Sequence, residues 1–397
     1  MGSARPLLVR IHRYAGLSLA AFLVFAGITG SILAFNEELD AWLNPSLFAA
    51  QDAGPPLPPS ELVARVEAAL PNARVTYLPL EATSGSTLDL RVASRDGEPL
   101  GYDQVFVEPA SGRVAGTREW GACCLDRMHL IPFLYRAHYS LQAPGSWGIF
   151  FMGGVGVLWT FDTLLGIALT LPRGGLSWRW WNAWRIERRA GALRLNLDLH
   201  RAGGLWFGLL LLVLATSGVA MNLPEQVFRP VVSWFSNLQP SFYAQAQARL
   251  DPHPAPGQLG FGEALSRAQQ HGLERGLRIH ALYALHVPEY SVYAIGFAPP
   301  GKDGHTGLGP SFYYLDDRSG AVAGQDLMGH GSYGDVYLQA QYPLHSGRIA
   351  GLPGRILVAV SGLAVVVLTA TGVVIWSRKL AHRRARAMRS PATTQAA

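Results

Sequence analysis

The run Tyr14–Phe35, YAGLSLAAFLVFAGITGSILAF, holds 22 residues and no charge. As a helix it would rise about 33 Å, enough to cross a hydrocarbon core of about 30 Å. Three more runs read the same way. Residues 202–223 are 22 without a charge, 356–376 are 21 without a charge, and 146–171 are 26 with one, Asp162. The first run stands where a signal peptide would. It is longer than the usual apolar region of about 7–15 residues, and no small-x-small cleavage site follows at once, so an uncleaved anchor is expected.

The charges outside these runs are lopsided. Residues 1–13, 172–201 and 377–397 hold 16 of the 33 Lys and Arg, with Glu187 and Asp198 the only acids among them. Those segments sum to +14 and the remainder to −8, so the formal +6 of the whole chain reports orientation. By the positive-inside rule they face the cytoplasm. The expected layout is a cytoplasmic N-terminus 1–13, spans 14–35, 146–171, 202–223 and 356–376, a basic cytoplasmic loop 172–201 and a basic tail 377–397. Two outer domains, 36–145 and 224–355, complete it. Trp178, Trp180, Trp181 and Trp184 in the basic loop fit an interfacial aromatic belt and a helix lying on the membrane surface.

Composition agrees. Only 15% of the 397 residues are charged, against about 25% in soluble domains. With 49% apolar residues the chain is not disordered, and its small basic excess argues against nucleic acid as a partner. Two cysteines, Cys123 and Cys124, exclude a disulfide scaffold and the common zinc sites.

Each outer segment reads as a small α+β unit. In the first, residues 60–70 have helical spacing after the Pro55–Pro59 linker. Strands are expected at Leu88–Val92 and Gln104–Val107, closed by the turn Glu108–Gly112. The second has the same order: a helix at Gly262–Gln270, strands at Ser291–Phe297 and Ser311–Leu315, and a turn at Asp316–Gly320.

That order signals an internal repeat. Spans one and three align at an offset of 188: His12-Arg-Tyr-Ala-Gly16 matches His200-Arg-Ala-Gly-Gly204, and Gly30 matches Gly218. Spans two and four align at an offset of 206, where Gly148, Gly156 and Gly166 match Gly354, Gly362 and Gly372. The expected fold is an α-helical membrane protein, a four-helix bundle of two parallel repeats with two α+β outer domains.

The repeat also pairs histidines. His12 and His200 begin spans one and three at the cytoplasmic face, and His138 and His345 precede spans two and four at the outer face. Two imidazoles facing each other at one membrane level suit a bis-His haem, a six-coordinate iron fitted to electron transfer. Glycines on the same helices let a flat macrocycle approach the backbone, although small residues also serve plain helix packing. No C-x-x-C-H exists, so covalent haem is not expected. The expectation is two haems b, near opposite faces. Arg13, Arg201, Arg136 and Arg348 lie within three residues of these histidines, and their guanidinium forks suit haem propionates. For Arg13 and Arg201 the positive-inside rule is a sufficient explanation of the charge.

Other residues stay open. His129 competes with His138 as outer ligand or lines an entrance. Asp162, an intramembrane acid, relays a proton, orients a ligand histidine or only caps or bends its helix. Cys123-Cys124 stands where oxidation is favoured. Trp120 and Tyr135 are relay candidates or interfacial anchors. His253, His271, His280, His286, His305 and His330 read as surface residues without metal spacing, and His382 as a solvated residue of the tail.

The His-Arg-x-x-Gly openings of spans one and three, and Tyr342-Pro-Leu-His-Ser-Gly347 before span four, resemble the PepSY-associated transmembrane family. Phe106-Val-Glu-Pro-Ala-Ser-Gly112-Arg-Val and Tyr314-Leu-Asp-Asp-Arg-Ser-Gly320-Ala-Val resemble PepSY domains. The resemblance covers about residues 5–380 and is nearest to iron-regulated inner-membrane members, the ferric-siderophore reductases of the ferrioxamine type. It implies two haems b on His12, His138, His200 and His345, two PepSY-like periplasmic domains, and reduction of a periplasmic ferric siderophore or other ferric chelate. Some relatives carry a flavodoxin-reductase module. This sequence has no such module and no G-x-G-x-x-G or P-loop signal, so no flavin or NAD site is expected. The donor must be separate, a quinol or a cytoplasmic reductase. Three other classes remain: a di-haem quinol-linked cytochrome serving another periplasmic acceptor, a haem-free PepSY regulatory or interaction protein, and a siderophore or iron transporter.

Overall fold

The computed structural model describes residues 4–123, 126–172, 175–189, 191–251, 257–299 and 304–389. The chain divides into two compact units, one helical (Met1–Ala34, His138–Phe228, Arg355–Ala397) and one built on a sheet (Phe35–Ala137, Arg229–Gly354).

Four helices are long and apolar enough to cross a membrane: α1 (Arg5–Leu33), α2 (Trp147–Thr170), α3 (Gly191–Asn222) and α4 (Gly351–Arg389). Three begin before the uncharged runs do. The residues ahead of those runs continue the hydrogen-bonded spiral, because arginine and leucine are good helix formers and Pro6 fits a first turn whose N–H has no partner. His12 and His200 therefore lie about two turns inside α1 and α3. Leu19 and Leu23 of α1, Val155 of α2, Leu211 of α3 and Val365 of α4 share one buried cluster. Outward, Leu158, Phe161, Leu209, Leu363 and Val367 are about half exposed or more. That much large apolar surface belongs against lipid. α1 and α4 touch through backbone: a Cβ on Gly27 would stand 2.6 Å from the Gly362 carbonyl oxygen. Ser31 beside it donates to Ala359 O at 2.8 Å.

In the basic loop, where a helix was expected, Trp178–Trp184 forms a 3-10 helix. The Trp180 indole donates to Thr170 Oγ1 at 2.9 Å and the Trp206 indole to Trp184 O at 3.1 Å, while Trp178 and Trp181 are exposed.

The sheet unit departs from the expectation of two separate α+β domains. The first segment supplies β1 (Ala73–Pro79), β2 (Leu88–Ser94), β3 (Gln104–Val107) and β4 (Val114–Arg118). The second supplies β5 (His280–Val287), β6 (Val292–Ala298), β7 (Ser311–Asp316) and β8 (Val322–Asp326). All eight form one antiparallel sheet of order β4-β3-β2-β1-β5-β6-β7-β8. Its seam is β1 against β5, with Tyr77 opposite Leu285 and Leu78 opposite Ala284. Held apart, each four-strand set would expose a strand edge with unpaired N–H and C=O groups, and joining them removes both edges.

Helices Pro59–Ala69 and Phe261–Glu274 lie on one face. Leu62, Val66, Ala264 and Ala268 pack there with Val75, Leu90, Val105, Ile295 and Tyr313. Phe242 and Ala246 cover Val292, Ala294 and Tyr314 on the other.

Candidate functional site

His12 and His200 face each other in the helical unit, ring centroids 6.2 Å apart and planes at 53°. A cavity of about 600 Å³ surrounds them, lined by all four helices. This is within the range of about 300–1,000 Å³ typical of cofactor pockets.

Each ring is fixed through Nδ1. His12 Nδ1 lies 2.8 Å from Asp162 Oδ1 of α2. His200 Nδ1 lies 2.9 Å from Leu368 O and 3.1 Å from Thr371 Oγ1 of α4. The Thr371 hydroxyl lies 2.8 Å from Val367 O and donates to it, so a lone pair faces the imidazole. The acceptors therefore place the proton on Nδ1 in both rings, and Nε2 is the nitrogen each can offer to a metal.

Glycines set the space beside the rings. A Cβ on Gly166 would stand 3.2 Å from His12 Cε1, and one on Gly372 would stand 3.1 Å from His200 Cε1. Gly16, one turn beyond His12, lets the Asp162 carboxylate rest against α1, where a Cβ would lie 3.6 Å from Oδ2.

The spacing fits a bis-imidazole metal centre. Two metal–nitrogen bonds of about 2 Å, plus roughly 1 Å from each nitrogen to its ring centre, place opposed centroids about 6 Å apart. The cavity also carries cations: Arg5, Arg13, Arg201 and Lys379 line it. Arg5 is committed to Leu169 O and Leu171 O, at 2.6 and 3.1 Å. Arg201 holds Asp198 at 2.8 Å and Asn182 O at 3.1 Å, but its buried Nε has no partner. A buried guanidinium nitrogen left open beside a cavity suits a carboxylate-bearing ligand. The residues present therefore fit a haem held by two histidines.

The other predicted residues lie elsewhere. His138 belongs to the helical unit, with Nδ1 2.7 Å from Thr29 Oγ1 and its ring against Gly30, where a Cβ would stand 3.2 Å away. Thr29 donates its own proton to Phe25 O at 2.8 Å, so it accepts from His138. Asn222 holds the next carbonyl, Tyr139 O, at 2.9 Å. His345, Arg136 and Arg348 belong to the sheet unit. There Arg348 pairs with Glu37 at 2.5 Å, and Arg136 packs over Gly121. His129 pairs with Asp126 at 2.9 Å. Trp120 and Tyr135 meet edge to face at 5.4 Å.

Among the scattered histidines, His286 is not a surface residue. It is buried, stacked on Tyr293 at 4.4 Å, and bonded to Asp317 at 3.0 Å. Burial, helped by Arg74, holds its pKa below the usual imidazole value, and the opposing pull of Asp317 and Glu289 does not cancel this. No group of three or more His, Cys, Asp or Glu able to hold a metal ion occurs among the described residues. His253 and Cys124 lie outside the described residues.

Sequence reasoning left the role of Asp162 undecided and missed Thr29 and Thr371. Their signal is the helical position of each, within reach of a histidine on another helix.

The family model for the PepSY-associated TM region matches residues 9–379. The chain belongs to this family. Nearly its whole length is matched, with residues from all three segments of the helical unit and both segments of the sheet unit included. Family membership and four long apolar helices make it a membrane protein. No curated protein matches the chain.

Proposed function

We propose that this PepSY-associated protein is a di-haem b oxidoreductase of the bacterial inner membrane. It passes electrons to a ferric siderophore or other ferric chelate on the periplasmic side and releases Fe(II). The observation that carries the reading is the His12–His200 pair, 6.2 Å apart within a cavity of about 600 Å³. A haem held by His12 and His200 would supply a one-electron couple.

The chain's own residues do the rest. His12 and His200 offer Nε2, while Asp162, Leu368 O and Thr371 fix the rings through Nδ1. Gly166 and Gly372 leave the rings room. Arg201, through its open Nε, and Arg13 offer cations to propionates. The second haem rests on the matching sequence positions of His138 and His345 and on the orientation of His138 by Thr29.

The balance is one electron per iron. A separate donor, a quinol or a cytoplasmic reductase, is oxidised, and Fe(III) becomes Fe(II), which hard oxygen ligands hold less well. No nucleophile or general base is needed.

The test uses full-length protein purified in detergent from haem-supplied cells. Dithionite should give the sharp low-spin bands of a bis-imidazole cytochrome. Reduced protein, freed of excess dithionite, should re-oxidise on addition of a ferric siderophore, with stoichiometric Fe(II) trapped by ferrozine. Absence of haem bands would overturn the cofactor. Re-oxidation without Fe(II) would overturn the acceptor and favour a cytochrome serving another one.

A further inference from the structure

We infer that Asp162 is a positioning residue that lowers the potential of the His12–His200 site. The inference rests on the haem reading above and concerns how this chain tunes that site.

Three histidines of the helical unit are held through Nδ1, and their acceptors differ in charge. His200 donates toward a backbone carbonyl and a threonine hydroxyl, Leu368 O and Thr371. His138 donates to a hydroxyl, Thr29. His12 donates to a carboxylate, Asp162, at 2.8 Å. Asp162 is 8% exposed and lies in the middle of a helix whose other residues are apolar or uncharged. An acid at such a place is costly and calls for a function. Helix capping does not account for it, because its partner is a ring on another helix.

A carboxylate acceptor pulls the Nδ1 proton and makes the opposite nitrogen a more basic ligand. Extra ligand basicity and a fixed negative charge both favour the more positive iron, hence the oxidised state. The site carrying His12 then has a lower potential than a neutral acceptor at that place would give it. Gly16 belongs to the same device, since its missing side chain admits the carboxylate against α1.

The test is a spectroscopic redox titration of purified full-length protein with Asp162→Asn, which keeps the size and an accepting oxygen but removes the charge. The midpoint of the haem that disappears in His12→Ala should rise by at least a tenfold change in its reduction equilibrium, about 59 mV for a one-electron couple. The other midpoint should stay. Bound haem with an unchanged midpoint would overturn the inference. If Asp162→Asn loses that haem, Asp162→Glu decides. A retained haem at the wild-type midpoint supports the role of the charge, and loss in both variants makes Asp162 a packing residue and overturns it. A wild-type protein without haem is a different failure, that of the functional reading itself.

Discussion

Two places in the molecule, the Arg118 and Glu108 clusters of the sheet unit and the cavity of the helical unit, treat buried charge in opposite ways. In the sheet unit, buried Arg118 meets Asp40 at 2.5 and 3.0 Å, Gln104 at 2.6 Å and Met128 O at 2.8 Å. Buried Glu108 accepts from the Gln51 and Asp52 amides and from Arg113, all at 2.9–3.1 Å. These groups are saturated, as the cost of burying charge requires. Around the cavity of the helical unit, Arg201 keeps an open Nε, and two imidazoles are each committed through one nitrogen. The first pattern closes a structure and the second leaves positions for a ligand.

That contrast breaks most severely if Arg118 proves dispensable. Arg118→Leu strands Asp40 in the sheet unit and should cost about 3–5 kcal/mol. It should appear as a lower urea midpoint for the sheet unit, with haem content per folded chain unchanged. A neutral result would show that saturated pairing there contributes little.

The ligand side is tested next by filling its space. Gly166→Val or Gly372→Val drives side-chain carbons into His12 or His200, where a Cβ alone already stands at 3.2 or 3.1 Å. Haem affinity should fall by at least tenfold, read by titrating apoprotein with haem. Gly154→Val, at a position with open space, should leave it unchanged.

His286 sharpens the comparison through pH. Its folded pKa is depressed by burial, with Arg74 adding to this and Asp317 and Glu289 opposing it. The unfolded chain therefore binds the proton first as pH falls below about 6.5. Stability of the sheet unit should be complete above that value and decline below it, by at most about 1.4 kcal/mol per pH unit. His286→Gln should flatten the slope of thermal midpoint against pH between 6.5 and 5. An unchanged slope would place the titration elsewhere.

The smallest effect is expected at Arg201. Arg201→Gln removes the open donor, and the same haem titration should weaken by a few-fold. Asp198 retains Arg194 at 2.9 Å, so the fold should survive.

The sequence made some of this visible and hid the rest for physical reasons. Runs of 21 residues or more with at most one charge reveal spans because lipid tolerates little else. The offset that matched Gly166 to Gly372 marked the two residues that lie against the facing rings, since repeats preserve close approaches. The β1–β5 seam was hidden because pairing between strands about 200 residues apart leaves no local pattern. Arg348, read as a propionate partner, pairs with Glu37, and proximity in sequence to His345 could not reveal that pairing. His286 looked like one more polar residue of a strand, and only the stacked Tyr293 and the Asp317 acceptor explain how it is buried.

The most direct test of the central claim is haem stoichiometry in purified full-length protein, wild type against His12→Ala and His200→Ala. The account predicts two haems per chain in the wild type and one in each variant, with the same absorbance lost in both. A variant that keeps the wild-type stoichiometry, or variants that lose different bands, would contradict the pairing of His12 with His200.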